Sequence, residues 1–313
     1  MTDTGEQTAV CRPFTLYPFD KLVIGYCLLM VILLVAFGRP IGDYYDELLF
    51  YVSMAAIAAL LIRYVDENGS LLNRFLRLLY PALMFTFFYR ETGGTMFLLF
   101  DGFYDWQLTA FEKGLLGVYP TVFIDQNLLN VWVNEILSFC YSAYYLMIPV
   151  FLMALFVRRD DEIIKSILTA CSLAFFSSYL LFFLYPIEGP RWYFASEYVN
   201  GIEGPLFRNL TEFIIGTGAV RGGCMPSSHF GVALVILMYA FKYYSKSGWL
   251  LLPLVIGLAA GTVWGRFHYV SDVVVGGLIG LSSVLLVWKY YDISANDGYK
   301  GINAKEFTTE NVS

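Results

Sequence analysis

Uncharged apolar runs recur along this chain at the length a helix needs to cross the roughly 30 Å hydrocarbon layer of a bilayer. Five contain no Asp, Glu, Lys or Arg: Leu22 to Gly38, Ile136 to Val157, Ser166 to Ile187, Ser247 to Gly265 and Val273 to Trp288. Three more are shorter or carry a polar residue near one end: Leu48 to Ile62, Phe75 to Tyr89, and Met225 to Tyr244 with His229 and Lys242. The pattern predicts an all-α integral membrane protein, a polytopic helical bundle of about eight transmembrane helices, with seven or six as the lower counts. The polar first 19 residues precede a run too long for a cleaved signal peptide, so Leu22 to Gly38 reads as a retained anchor.

Polar intervals divide the chain further. Residues 1–100 hold an N-terminal tail and three spans, 101–291 an interfacial helix and a catalytic transmembrane core, and 292–313 a polar tail expected to be disordered. In Phe103 to Gln126, Asp105, Glu112 and Lys113 alternate with Trp106, Leu108, Phe111, Leu115 and Leu116, as in an amphipathic helix lying at the interface, ended by a turn at Gly117 and Pro120. Gly257 with Gly261, and Gly276 with Gly280, have the four-residue spacing of close helix contact.

Composition agrees with the membrane class: 58% hydrophobic residues, 15% charged, and a mean hydropathy of +0.60. The net charge of −6 argues against nucleic acid as a partner. Eight spans place Arg39, Arg90, Lys113, Arg191, Arg208, Arg221 and Arg266 on one side, and the other 13 of the 20 basic residues on the side of the termini. By the excess of positive charge on cytoplasmic loops, both termini are expected in the cytoplasm, with the opposite loops facing periplasm, exterior or lumen. The abundant Tyr and Trp read as interfacial belts. Among the five cysteines Cys11, Cys27, Cys140 and Cys171 fall in the tail or in spans and only Cys224 in an outward loop, which implies no disulfide framework.

Chemistry concentrates in those outward loops. The only two histidines sit in Cys-Met-Pro-Ser-Ser-His, residues 224–229, and Arg-Phe-His-Tyr-Val-Ser-Asp, residues 266–272. Pro226, Ser227 and Ser228 mark a helix start, where free N–H groups and the positive dipole end favour an anion such as phosphate. His268 and Asp272 are four apart and share a helix face. The carboxylate can accept a hydrogen bond from one ring nitrogen and leave the other free to attack. Arg191 and Arg266 add forked positive charge for phosphate oxygens, with Arg221 nearby. The set describes phosphoryl transfer without a metal or other cofactor: one histidine attacks phosphorus and the other protonates the leaving alkoxide.

These motifs, together with Tyr-Pro-Ile-Glu-Gly-Pro-Arg ending at Arg191, resemble the type 2 phosphatidic acid phosphatase superfamily of membrane lipid phosphatases and phosphotransferases, and within it the inositol phosphorylceramide synthase-like branch. Asp105-Trp-Gln-Leu to Leu116-Gly-Val-Tyr-Pro120 is a fainter match to that branch. The resemblance implies a six-helix phosphatase-like core, a phosphohistidine on His268 oriented by Asp272, His229 as general acid, and phosphate binding by Ser227, Ser228, Arg191, Arg266 and Arg221. It implies a phosphorylated lipid in the bilayer as substrate and water or an alcohol such as inositol as acceptor. Two positions depart from the phosphatase pattern: Leu184 stands where it has a lysine and Thr262 where it has an arginine, for which Arg266 is the substitute. Two other classes compete. A proton-coupled transporter predicts ionisable groups buried mid-span or an internal repeat, and a non-catalytic lipid-binding relative predicts loss of a histidine.

Overall fold

The computed structural model describes residues 15–39 and 42–291. The expected N-terminal tail up to residue 14, with Cys11, and the tail 292–313 lie outside the described residues.

Twelve helices and no strand make up the described chain; an isolated parallel bridge joins Ile187 to Gly223. Seven helices are long and apolar enough to span a membrane: α1 (Pro18–Phe37), α2 (Tyr44–Tyr64), α3 (Leu71–Thr95), α6 (Val131–Arg158), α7 (Asp161–Leu184), α11 (Ser245–Trp264) and α12 (Val270–Tyr290). The eighth expected span is α10 (Ser228–Tyr243), 16 residues long. At 1.5 Å per residue it covers about 24 Å, short of a full crossing. This is a polytopic helical membrane protein.

The remaining helices are short and lie in the loops: α4 (Asp105–Leu116), α5 (Pro120–Asn127), α8 (Pro190–Tyr193) and α9 (Phe207–Gly218). Local chemistry sets their limits. Gly117 at φ +78° closes α4 in the left-handed conformation that suits glycine, and Pro120 opens α5 at a position where no N–H is needed. Asn130 caps α6 by accepting from the N–H groups of Trp132 and Val133 at 2.9 and 3.3 Å.

α7 and α10 occupy the centre. α10 packs on α12, α11, α7 and α6, while α7 also meets α1 and α3. The expected glycine contacts are present. A Cβ on Gly276 would lie 2.3 Å from the Ser227 carbonyl oxygen, one on Gly280 2.2 Å from that of Gly231, and one on Gly261 2.8 Å from that of Leu137. Only glycine permits these approaches; the first two bring the start of α10 directly against α12, and the third brings α11 against α6.

At the end of the bundle opposite the histidines, buried ion pairs join the helices. Arg77 donates to both oxygens of Asp20 at 2.9 and 2.6 Å, Tyr80 adds a third bond at 2.7 Å, and Arg74 pairs with Asp161. The charges that shortened the apparent third span are therefore internal to α3 and neutralised there.

Candidate active site

Both motifs meet at the start of α10. Ser227 is its N-cap and Ser228 its first residue, and the Ser227 N–H donates to the Asp272 carbonyl at 2.9 Å. The rings of His229 and His268 are neighbours, with centroids 6.2 Å apart and planes tilted by 57°. His268 Nδ1 lies 3.4 Å from Asp272 Oδ2. The same oxygen accepts from the Tyr269 N–H at 2.8 Å, which fixes the first turn of α12. An imidazole turned this way presents Nε2, with its lone pair, away from the carboxylate.

His229 stands in an aromatic box. Tyr89, Tyr141, Tyr144 and Tyr145 surround its ring at centroid distances of 6.3, 5.7, 4.9 and 5.8 Å. The Tyr145 hydroxyl is 3.4 Å from its Nε2, and its Nδ1 has no hydrogen-bond partner. These tyrosines, read in the sequence as a belt, belong to the site. Two cavities meet there. A small one of about 60 Å³ is lined by Arg191, Glu188, Gly189, Cys224, His229 and His268. A larger apolar cleft of about 540 Å³ runs from Ser228 and His229 between α3 and α6, past Tyr145 and Ile148 to Leu152 and Phe175.

The arginines are unequally placed. Arg191 lines the small cavity while donating to Glu212 at 3.3 and 2.6 Å. Arg266 and Arg221 line neither cavity. Arg266 pairs with Asp125, donates to the Asn200 carbonyl at 2.7 Å and lies 3.9 Å over the Tyr198 ring. Burial lowers its pKa, against the opposing pull of Asp125. Arg221 is exposed and pairs with Glu188. The hydroxyl of Ser227 is buried without a partner, whereas Ser228 opens onto the cleft.

Acidic side chains hold the loops in place, which the amphipathic reading of α4 did not foresee. Asp105 and Glu112 are 1% and 2% exposed, while Trp106, Phe111 and Leu115 face outward. Asp105 accepts from the N–H groups of Glu188 and Gly189 at 2.7 and 2.9 Å and from the Tyr269 hydroxyl at 2.8 Å, so one carboxylate ties the Arg191 loop to the His268 loop. Burial, then the Asp105 charge, raises the Tyr269 pKa, which keeps it a donor. Glu112 accepts from the Ser271 N–H at 2.6 Å; burial raises its pKa. Asp125 and Glu135 do the same for residues 199–200 and 206–208. Buried N–H groups need acceptors, and the acids supply them.

Cys224 also joins the site. Its thiol donates to Asp272 Oδ2 at 2.8 Å and lies 3.5 Å from His268 Nδ1. Burial first, then the neighbouring Asp272 charge, pushes its pKa well up, so it is held as a thiol. The three side chains form a buried group of metal-ligand type, a cluster the sequence did not suggest.

Comparison with known proteins agrees with the site. A family model described as the PAP2 superfamily matches residues 106–286, more than half of the chain. The protein named bacitracin transport permease protein BcrC, from Bacillus licheniformis, is 35% identical over 63 residues, covering 20% of this chain and 31% of that protein. The chain thus matches about a third of the length of that relative. No solved structure matches.

Proposed function

The chain belongs to the PAP2 superfamily of membrane phosphatases, and from this and the site geometry we propose that it hydrolyses a lipid phosphate through a phosphohistidine on His268. The observation that carries the reading is the meeting of two cavities at His229: a polar one beside His268 and Arg191, and an apolar cleft of about 540 Å³. A phosphoryl headgroup suits the first and an acyl or isoprenoid tail the second.

In this mechanism Nε2 of His268 attacks phosphorus while the bond to the lipid oxygen breaks, and His229 gives that oxygen its proton. The incoming phosphate anion favours the protonated form of His229, so proton and substrate arrive together. Water then attacks the phosphohistidine with His229 as base, and phosphate leaves. Arg191, Ser228 and the N–H groups at the start of α10 carry the developing charge, with no divalent metal required. Arg266, Arg221 and Ser227 act one step removed, by fixing the loops that present these groups.

Transfer to an alcohol such as inositol is the second reading. It draws on the likeness of residues 105–120 to the inositol phosphorylceramide synthase-like branch, a segment whose Asp105 and Glu112 bind the loops that carry Arg191 and His268. The small cavity, at about 60 Å³, suits water better than a polyol. A transport role, suggested by the relative's name, is less well supported, because the buried charges Asp20, Glu47, Arg77, Lys165 and Asp272 all lie near helix ends. The positive-charge count made on eight spans, with α10 as one of them, supports a site on the non-cytoplasmic face.

The test is incubation of purified protein with phosphorylated lipids, with and without inositol and chelator, scoring free phosphate against inositol phosphate. Phosphate release that persists in chelator and is blocked by orthovanadate is expected. Loss of activity in chelator, restored by added metal, would reverse the metal-independent assignment, and inositol phosphate formed at the expense of free phosphate would favour transfer.

A further inference from the structure

Cys224, His268 and Asp272 form a closed triangle on the side of the His268 ring that faces away from substrate. Its edges are 2.8 Å from Sγ to Oδ2, 3.5 Å from Sγ to Nδ1 and 3.4 Å from Nδ1 to Oδ2. The three residues are 4%, 5% and 0% exposed, and the second Asp272 oxygen, Oδ1, is buried without a hydrogen-bond partner. Cys224 and His268 line the small cavity, which gives an ion a way in. Zinc binds thiolate at about 2.3 Å and imidazole nitrogen or carboxylate oxygen at about 2.0–2.2 Å, so a tetrahedral site has ligand edges of roughly 3.4–3.6 Å. Two edges of the triangle already have that length. The third is shorter because the thiol proton bridges it, and the edge can lengthen when that proton leaves.

We propose that Cys224 Sγ, His268 Nδ1 and Asp272 Oδ2 form a binding site for a thiophilic divalent cation such as Zn²⁺ or Cd²⁺, and that occupancy switches the phosphoryl-transfer site off. The switching part rests on His268 being the nucleophile; the binding part does not. On binding, the thiol gives its proton to solvent through the cavity, and metal–sulfur, metal–nitrogen and metal–oxygen bonds form with no change of oxidation state. A neutral imidazole carries one N–H. A cation on Nδ1 forces that proton to Nε2, which removes the lone pair needed to attack phosphorus. Asp272 is at the same time withdrawn from orienting the ring. The site is thus inhibitory, and catalysis needs it empty.

The experiment uses purified full-length protein in detergent, nitrophenyl phosphate as substrate, and buffered Zn²⁺, with ultraviolet absorption of Cd²⁺–thiolate as a readout independent of activity. Wild type, Cys224→Ser and Cys224→Ala are each compared with their own metal-free rate. The wild type is expected to lose at least about tenfold in rate and to gain one thiolate band per chain. Both variants are expected to need at least roughly tenfold more metal and to lack the band. Equal sensitivity of wild type and variants, or no band in the wild type, would overturn the proposal. If the metal-free protein has no phosphatase activity at all, the functional reading fails, while the band and its loss in Cys224→Ala still decide the site.

Discussion

The Ser227 N–H donates to the Asp272 carbonyl at 2.9 Å, so the first turn of α10 hangs on the first turn of α12. Gly276 makes this docking geometrically possible, because any side chain there would meet the Ser227 backbone. Gly276→Val is therefore expected to cost about 1–3 kcal/mol of stability and to misplace His229 relative to His268, with a large loss of activity. Thermal unfolding and phosphate release measure both. Gly25→Ala, with open space around its Cβ, serves as control and should leave both unchanged.

Asp105 joins the loops of Arg191 and His268 through three accepted hydrogen bonds. Replacing it by Ala leaves two N–H groups and a tyrosine hydroxyl without an acceptor, at about 1–3 kcal/mol each if they stay dry. Asp105→Asn keeps the volume but loses the charge. It should weaken orthovanadate inhibition and raise KM more than it lowers Tm, whereas a residue that only packs would move Tm alone.

The apolar cleft ends at Leu152 and Phe175 and is walled on one side by α3, which lies outside the family match. Along α6 it extends from Tyr141 to Leu152, about 16 Å at the helical rise. Ile148→Trp should fill its middle. Turnover of long-chain lipid phosphates is expected to fall by roughly 10- to 100-fold, at about 0.8 kcal/mol per methylene no longer buried, with little change on nitrophenyl phosphate. Equal losses on both substrates would argue against a tail site.

Orientation is tested on exposed positions, since Cys224 is buried and a poor target for an impermeant reagent. Val199, 76% exposed in the site-side loop, and Tyr64, 75% exposed at the opposite end of α2, are better. In a background lacking Cys11, Val199→Cys should label from outside intact cells and Tyr64→Cys only after lysis. The reverse pattern would invert the topology.

Much of this was legible in the sequence because it is local. Leu22 to Gly38 and Val273 to Trp288 announce spans by length alone, and the nearness of His268 to Asp272 follows from their four-residue spacing, although His268 stands just before α12 and not on its face as the spacing predicts. Relationships across the chain were not legible. Arg77 interrupts an apolar run and looks like a loop charge until Asp20, 57 residues earlier, is seen to neutralise it. Asp105 and Glu112 look like the wet face of an interfacial helix. Their acceptor role depends on N–H groups more than 80 residues away, at Glu188 and Ser271. Arg266 carries the charge a phosphate site wants, and the fold commits it to Asp125. Tyr89 sits toward the end of α3, but Tyr141, Tyr144 and Tyr145 lie in the middle of α6, and only the packing of His229 against them from another helix marks all four as part of the site.

The central claim is that the two histidines divide the work, His268 as nucleophile and His229 as the leaving-group acid. Trapping of a covalent phosphoprotein from labelled lipid and labelled nitrophenyl phosphate tests it most directly. His268→Ala should abolish turnover and the label on both substrates, and Asp272→Asn should reduce both. His229→Ala should cost roughly 10² to 10⁴ in rate on the lipid and far less on nitrophenyl phosphate, whose leaving group needs no proton, with the label retained. Label lost in His229→Ala and kept in His268→Ala on nitrophenyl phosphate would contradict the account and exchange the two roles.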